Sequence, residues 1–251
     1  MLAILEGPTD ISTYIFPIIR EELFMFLPRD GVVAEVGVLE GGLSQHILTV
    51  ATPQRLHLVD LWECQADRDY ALDPSNGTPE LQNVRLDGVK ERFAKEIASG
   101  QVVLNRGYSH LIAESFPSNY FDWVFIDANH TYEAVLTDLR AYGAKLKEDG
   151  LIVGHDFTNQ RYAQECKFGV VEAVKQYCRE SGFVPVALTG RDQFPTYVLA
   201  RRSHARQAQI LMFSLFRTVR GIVEIRNFLD RDFRHETVRF SDEMQNFIIS
   251  V

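Results

Sequence analysis

A chain of 251 residues, 46% of them hydrophobic, is long enough for one large α/β domain and too apolar for a disordered one. A formal net charge of −8 argues against a broad nucleic-acid-binding surface, and no apolar run approaches the roughly 20 residues of a membrane span. The start, MLAILEGPTD, lacks the basic opening and long apolar centre of a secretory signal.

The elements follow in chain order. Ile11 to Leu27 is mostly apolar with Arg20, Glu21 and Glu22 between, and reads as a leading helix. Gly31 to Leu48, GVVAEVGVLEGGLSQHIL, reads as a buried strand, a glycine-rich turn and a helix start. Arg55 to Leu61 is the second strand, ending near Asp60. Trp62 to Asn83 is a long polar loop, of the kind that often contacts substrate in α/β enzymes. Leu81 to Ile97 reads as a helix, Gln101 to Leu104 as a third strand and Phe121 to Ile126 as a strong fourth. Thr131 to Leu146 is a helix, Leu151 to Gly154 a fifth strand and Val170 to Glu180 a helix. Val184 to Leu188 and Pro195 to Ala200 read as a closing antiparallel pair. Alternation of this kind implies a Rossmann-like, doubly wound, mainly parallel sheet of seven strands with helices on both faces.

Residues 1–200 form that domain in this reading, and residues 201–251 form an amphipathic helical C-terminal extension. Nine Arg there face six Asp and Glu, and Ile210 to Leu229 carries the helical spacing. Such a helix packs on the core, pairs with a second subunit as a homo-oligomer, or lies on an anionic surface. Cys64, Cys166 and Cys178 are odd in number and not in zinc spacing, so they read as reduced thiols of a cytoplasmic protein.

The glycine-rich turn is the opening unit of a nucleotide-type cofactor site, because its helix points N–H groups into the space beyond the strand. Its spacing is Glu35-x-Gly37-x-x-x-Gly41, which lacks the third glycine of a dinucleotide turn. Glu35 and Glu40 would meet a pyrophosphate with like charge and a sulfonium with opposite charge. S-adenosylmethionine is therefore favoured over NAD. Asp60, about 20 residues beyond the turn, stands where a ribose-hydroxyl acceptor belongs.

The fourth strand ends in Asp127-Ala-Asn-His130 and the fifth in Gly154-His155-Asp156-Phe157. As neighbouring strands they would crowd two acids and two histidines into one cleft, where such groups shift each other's pKa values. His46, His57 and His110 read as structural.

The stretches EVGVLEGGLSQHIL, HLVDLWE, FDWVFIDANHTYEAVLTDL, LKEDGLIVGHDF and GVVEAVKQY, in order between Val32 and Tyr177, resemble the class I S-adenosylmethionine-dependent methyltransferases. Within them the chain is similar to the small-molecule and sugar O-methyltransferase branch that includes macrocin O-methyltransferases and cephalosporin hydroxylase-like proteins. The resemblance implies that Glu35 and Gly37 line the methionine and ribose part of the cofactor and that Gly41 permits close approach of the turn. It places Asp60 on the ribose, Leu61 and Trp62 beside the adenosine, and Gly107, Tyr108 and Ser109 along the adenine. Asp127 would face the methionine end or a metal, with His130 beside it.

Metal-dependent relatives carry acids where this chain has Asp127 and Asp156, so these two are the candidate ligands of a divalent ion such as magnesium. His155 stands where many of them have a carboxylate, which weakens the case for magnesium and suits a softer ion. Methyl transfer to an oxygen needs an in-line acceptor and a base; His130 or His155, with Asp127, are the candidates. The acceptor expected from this resemblance and from the polar 62–83 loop is a hydroxylated small molecule. A cofactor-binding protein without catalysis and an NAD-dependent oxidoreductase are the alternatives.

Overall fold

β-branched and aromatic residues set the strands, and their period of two decides which core each side chain enters. The structure, a computed structural model, describes residues 12–66, 70, 73, 75–201, 206–239 and 245–250. In chain order the elements are β1 (Thr13–Phe16), α1 (Arg20–Phe24), β2 (Val32–Val36), α2 (Gly42–Val50), β3 (Arg55–Asp60), α3 (Pro79–Arg92), α4 (Ala94–Ser99) and β4 (Val102–Arg106). There follow α5 (Ser109–Glu114), β5 (Phe121–Ile126), α6 (Tyr132–Gly143), β6 (Leu146–Gly154), α7 (Arg161–Glu165) and α8 (Val170–Ser181). The chain closes with β7 (Phe183–Thr189), β8 (Tyr197–Arg201), α9 (Arg206–Thr218), β9 (Val223–Ile225), β10 (Arg234–Arg239) and β11 (Gln245–Ser250).

The main sheet has nine strands in the order β4-β3-β2-β5-β6-β8-β7-β1-β9, and β10 pairs with β11 in a separate hairpin. From β4 to β6 every pairing is parallel; β8 runs antiparallel to both β6 and β7. Along β5, Trp123 and Phe125 enter one core with Leu23, Phe24, Leu56 and Leu58. Val124 and Ile126 enter the other, with Leu136, Leu139 and Val174, and Phe121 joins them because the register against β6 shifts between Phe121 and Trp123. Each such fully buried side chain stabilises the fold by about 2 kcal/mol.

Four expectations are corrected. The count of seven strands becomes nine because β1 pairs parallel with β7 and antiparallel with β9, extending the sheet at that edge. The leading helix over 11–27 is a strand and one short helix; Pro17 separates them, and Thr-Tyr-Ile-Phe is a strand-forming run. Its first residue, Ile11, lies outside the described residues. The helix expected over 81–97 is two helices meeting at the buried Phe93, whose backbone leaves the helical region. The C-terminal extension is only partly helical. α9 ends at Thr218, Gly221 turns with φ +75°, and Val223–Ile225 joins the main sheet.

α9 packs Ala208, Leu211 and Leu215 inward and leaves Ile210 and Phe213 exposed. Beyond β9 the chain grips the loop after β6. Phe157 packs on Phe228 and Phe233, while Asn159 donates to the Phe233 carbonyl at 2.5 Å and accepts from the His235 backbone N–H at 3.2 Å. The described residues hold no helix long and apolar enough to cross a membrane.

Candidate active site

The carboxyl ends of β2, β3, β4 and β5 surround a cavity of about 720 Å³. It forms where β2 and β5 diverge into loops on opposite sides of their pairing, the usual ligand position of an open α/β sheet.

The turn after β2 is the floor of this cavity. Gly37 adopts φ +89°, and a Cβ there would lie 1.9 Å from the Asp127 carbonyl oxygen, so only glycine fits. Gly41 caps α2 at φ +73°, with Phe93 filling the space a side chain would need. Asp60 ties the turn together. One oxygen accepts from the N–H groups of Val38 (2.8 Å) and Leu39 (3.0 Å), the other from Trp62 N–H (2.8 Å). Leu39 and Trp62 both sit at positive φ, +54° and +46°, so this carboxylate holds two strained residues in place.

Glu35 is buried at the end of β2 and accepts a hydrogen bond from Ser44 of α2. Burial pushes its carboxyl up to about 8; Ser44 opposes this, Asp127 adds to it and Arg20 opposes it. Glu35 thus holds a proton at neutral pH until a cation enters the cavity and favours its charged form.

The opposite wall is dense in charge. Asp127 receives Arg20 at 3.2 Å, His130 Nε2 at 3.4 Å and His155 Nδ1 at 3.6 Å. Asp156 lies 2.7 Å from His130 Nε2 and 3.1 Å from His155 Nδ1, and takes φ +57° to do so. Asp73, from the loop between β3 and α3, accepts from His130 Nδ1 at 2.8 Å. Phe168 lies against the His130 ring, with centroids 4.4 Å apart.

Burial works against every charge in this group, yet the charges prevail together. Burial raises the Asp127 carboxyl, but the imidazoles of His155 and His130 pull it down to about 2. Asp156 is held far below the usual carboxylate range by the same two rings. Burial lowers His155, but Asp156 and Asp127 carry it up to about 9. His130 is raised well above its ordinary value, Asp156 being the largest influence against burial. Both imidazoles are therefore protonated at neutral pH while Arg20 is the only other described cation on these carboxylates.

Glu35, Gly37, Asp60, Leu61, Gly107, Tyr108, Ser109, Asp127 and His130 all line the cavity. Four other candidates stand behind the wall. Trp62, expected beside the adenosine, is buried and donates its indole N–H to the Leu39 carbonyl at 3.0 Å, because its positive φ turns the ring under the loop. Gly41 acts through the packing of Phe93. His155 and Asp156 form the layer behind Asp127 and His130. His57, read as structural, lies inside β3 with Tyr120 and Asn105 as partners, and burial lowers it to about 4. His110, also read as structural, instead lines the cavity.

Sequence reasoning passed over Arg20, Asp73 and Asp138. Arg20 was hidden in an apolar segment. Asp73 lies in the loop flagged for substrate contact. Asp138 is an acid on the buried face of a helix, between Val135 and Leu139, and that break in the spacing is the signal that could have found it.

Comparison with known proteins bears on this geometry. Residues 34–157, which carry β2 through β6 and the strand ends just described, match the model of a methyltransferase domain family. No curated protein matches the chain in sequence. Among solved structures, the chain is similar in fold to a candidate rRNA methylase from Clostridium thermocellum (TM-score 0.50, 10% identity, covering 72% of this chain and 91% of that one). It is similar also to the pyocyanin biosynthetic protein PhzM (0.50, 17%, 71% and 54%) and to a spermidine synthase from Thermotoga maritima (0.49, 14%, 80% and 62%). The chain thus spans 54% and 62% of the length of these last two. At such identities the likeness speaks for the fold alone. The glycine turn and the strand ends that line the cavity fall within residues 34–157, the stretch, just under half of the chain, that is similar to a methyltransferase domain.

Proposed function

We propose that this protein transfers the methyl group of S-adenosylmethionine to a hydroxyl of a small molecule, a sugar or glycosylated metabolite. The observation that carries the reading is the cavity lined by Glu35, Gly37, Asp127 and His130, with His155 and Asp156 in contact behind the last two. A cationic sulfonium favours the charged form of Glu35 and shares Asp127 with its imidazoles, and Asp60 fits a ribose beside it.

The sulfonium is already a good electrophile, so the protein's work is to hold an acceptor oxygen in line and to move its proton. Asp127 and Asp156 stay ionised and are weak bases. The imidazoles become proton acceptors only when another cation shares those carboxylates and lowers their pKa. Cofactor binding next to Asp127 supplies such a cation, so base strength is coupled to occupancy of the site.

A divalent ion also fits. Asp127, His130 and Asp156 each offer one donor atom, all within 4.8 Å of one another. Asp73 on Nδ1 leaves Nε2 of His130 directed at the two carboxylates, the arrangement that orients a metal-binding imidazole. Two oxygens and one nitrogen suit an ion softer than magnesium. Bound there, the ion would supply Lewis-acid polarisation of the acceptor hydroxyl, and His155 would be the remaining imidazole. We also assign the protein to the cytoplasm, where three cysteines outside zinc spacing stay reduced.

The test is methyl transfer from labelled S-adenosylmethionine to a panel of sugars, glycosylated metabolites, amines and proteins, with chelator and with added manganese or magnesium. A base-stable methyl ether on a hydroxylated acceptor supports the reading. Methylation of only amines or proteins overturns it.

A further inference from the structure

α9 sends Ala208, Leu211 and Leu215 into the core, and the opposite side of such a helix is ordinarily polar. Here it is not. Ile210 is 50% exposed, Phe213 62% and Phe216 40%. They recur at every third residue and so lie on successive turns of the outer side. Phe216 sets its edge against Tyr14, with ring centroids 4.8 Å apart, and its remaining surface faces solvent.

This stripe is set among cations. Between Arg206 and Val223 the chain holds Arg206, Arg217 and Arg220 and no Asp or Glu, although the whole chain carries −8. All three arginines are exposed. The Arg217 guanidinium covers the Phe213 ring at 5.3 Å from its centroid. No acid among the described residues pairs with any of the three.

Charge and area choose the occupant. A second α9 packed on this face would set arginines against arginines, which is repulsive. The stripe is also small. At roughly 150–250 Å² for a whole aromatic side chain, its exposed parts amount to about 300 Å², against about 800 Å² per partner in a stable protein interface. A bilayer interface asks for less. It takes a few apolar side chains at the boundary of headgroups and acyl chains, and anionic headgroups attract the arginines beside them.

We infer that α9 docks this protein on an anionic lipid surface. Ile210, Phe213 and Phe216 enter the boundary region, and Arg206, Arg217 and Arg220 meet the headgroups. The acids elsewhere on the chain are repelled, but salt screens them beyond about 10 Å at about 0.1 M, so the face that touches the membrane decides. None of these six residues lines the cavity, so the inference stands apart from the cofactor reading.

The experiment is flotation of the full chain with vesicles of phosphatidylcholine alone and of phosphatidylcholine with phosphatidylserine. The protein should float with the mixed vesicles, bind pure phosphatidylcholine at least about tenfold more weakly, and leave the mixed vesicles as salt rises toward about 1 M. Arg217→Gln and Arg220→Gln should each weaken binding about fivefold, and Arg220→Lys should keep it. Phe213→Ser should weaken it by a similar factor while the melting temperature stays within about 3 °C, because the side chain lies at the surface. Absence of flotation with the mixed vesicles overturns the inference. So does flotation that Phe213→Ser and Arg217→Gln leave unchanged, since another surface then binds the lipid. A dimer in light scattering that Phe213→Ser dissolves also overturns it, because the face then belongs to a second copy.

Discussion

Asp60 holds the glycine-rich turn through three backbone N–H groups, so its removal has a calculable effect. In Asp60→Ala the amides of Val38, Leu39 and Trp62 lose a charged acceptor at 2.8, 3.0 and 2.8 Å. Hydrogen bonds to a charged group contribute about 2 kcal/mol each. Leu39 is exposed and water replaces part of its bond, so about 4 kcal/mol of the three is the working figure. Leu39 and Trp62 also lose the restraint that keeps them at positive φ. If about 3 kcal/mol of this falls on local opening of the turn, the three amides should exchange with solvent about 100-fold faster, while amides in β5 keep their rates. Asp60→Asn should give a smaller effect, because its amide oxygen still accepts on one side and its NH2 accepts on neither. The assay is hydrogen exchange resolved to single amides, paired with calorimetry for S-adenosylhomocysteine. Unchanged exchange at Val38, Leu39 and Trp62 in Asp60→Ala would refute the assignment of Asp60 as the tie of the turn.

Four further expectations follow from the same contacts. Asp127→Asn should cut turnover at least about 100-fold while leaving S-adenosylhomocysteine affinity within about tenfold, and near-wild-type turnover would remove Asp127 from the chemistry. Gly37→Ala drives a Cβ to 1.9 Å from the Asp127 carbonyl oxygen, a backbone atom with nowhere to go, so cofactor binding should fall by more than about 100-fold in calorimetry. His57 stays neutral in the folded chain down to about 4, whereas in the unfolded chain it gains a proton near 6.5. Between those values the unfolded state binds the extra proton, so this contribution is present above 6.5 and is lost as pH falls toward 4. Glu35 and Asp138, with raised pKa values, act in the opposite direction, so the net slope hides the effect. His57→Gln should expose it in urea denaturation: its deficit relative to wild type shrinks by about 2–3 kcal/mol between pH 7 and 4.5, and a constant deficit would count against the burial argument. Asn159→Ala removes the bonds to Phe233 and His235 and should raise hydrogen exchange through 233–236, with a stability loss of about 2 kcal/mol in the same denaturation assay.

The strand–turn–helix at 32–50 was legible because β-branched residues, glycines and acids each served one purpose there. The pairing of β5 with β6, and so the meeting of Asp127 with Asp156, followed from the alternation of elements. The two edge strands were not legible, since Thr13–Phe16 and Val223–Ile225 are short and defined by each other's pairing. Arg20 and Asp73 reach the site from segments distant in sequence, 107 residues from Asp127 and 57 from His130, and no local pattern carries such a contact. Trp62 was set beside the adenosine by the family resemblance, which carries no information on its positive φ or on the bond from its indole N–H to the Leu39 carbonyl. Asp138 was passed over although an acid between Val135 and Leu139 breaks the apolar spacing of α6.

The most direct test of the cofactor site is calorimetric titration of purified, folded protein, free of carried-over ligand, with S-adenosylhomocysteine and with NAD. Micromolar binding of the first and none of the second is the expected result. Binding of NAD, or of neither, would mean that the turn from Glu35 to Gly41 serves another ligand, and the methyl-transfer mechanism would fall with it.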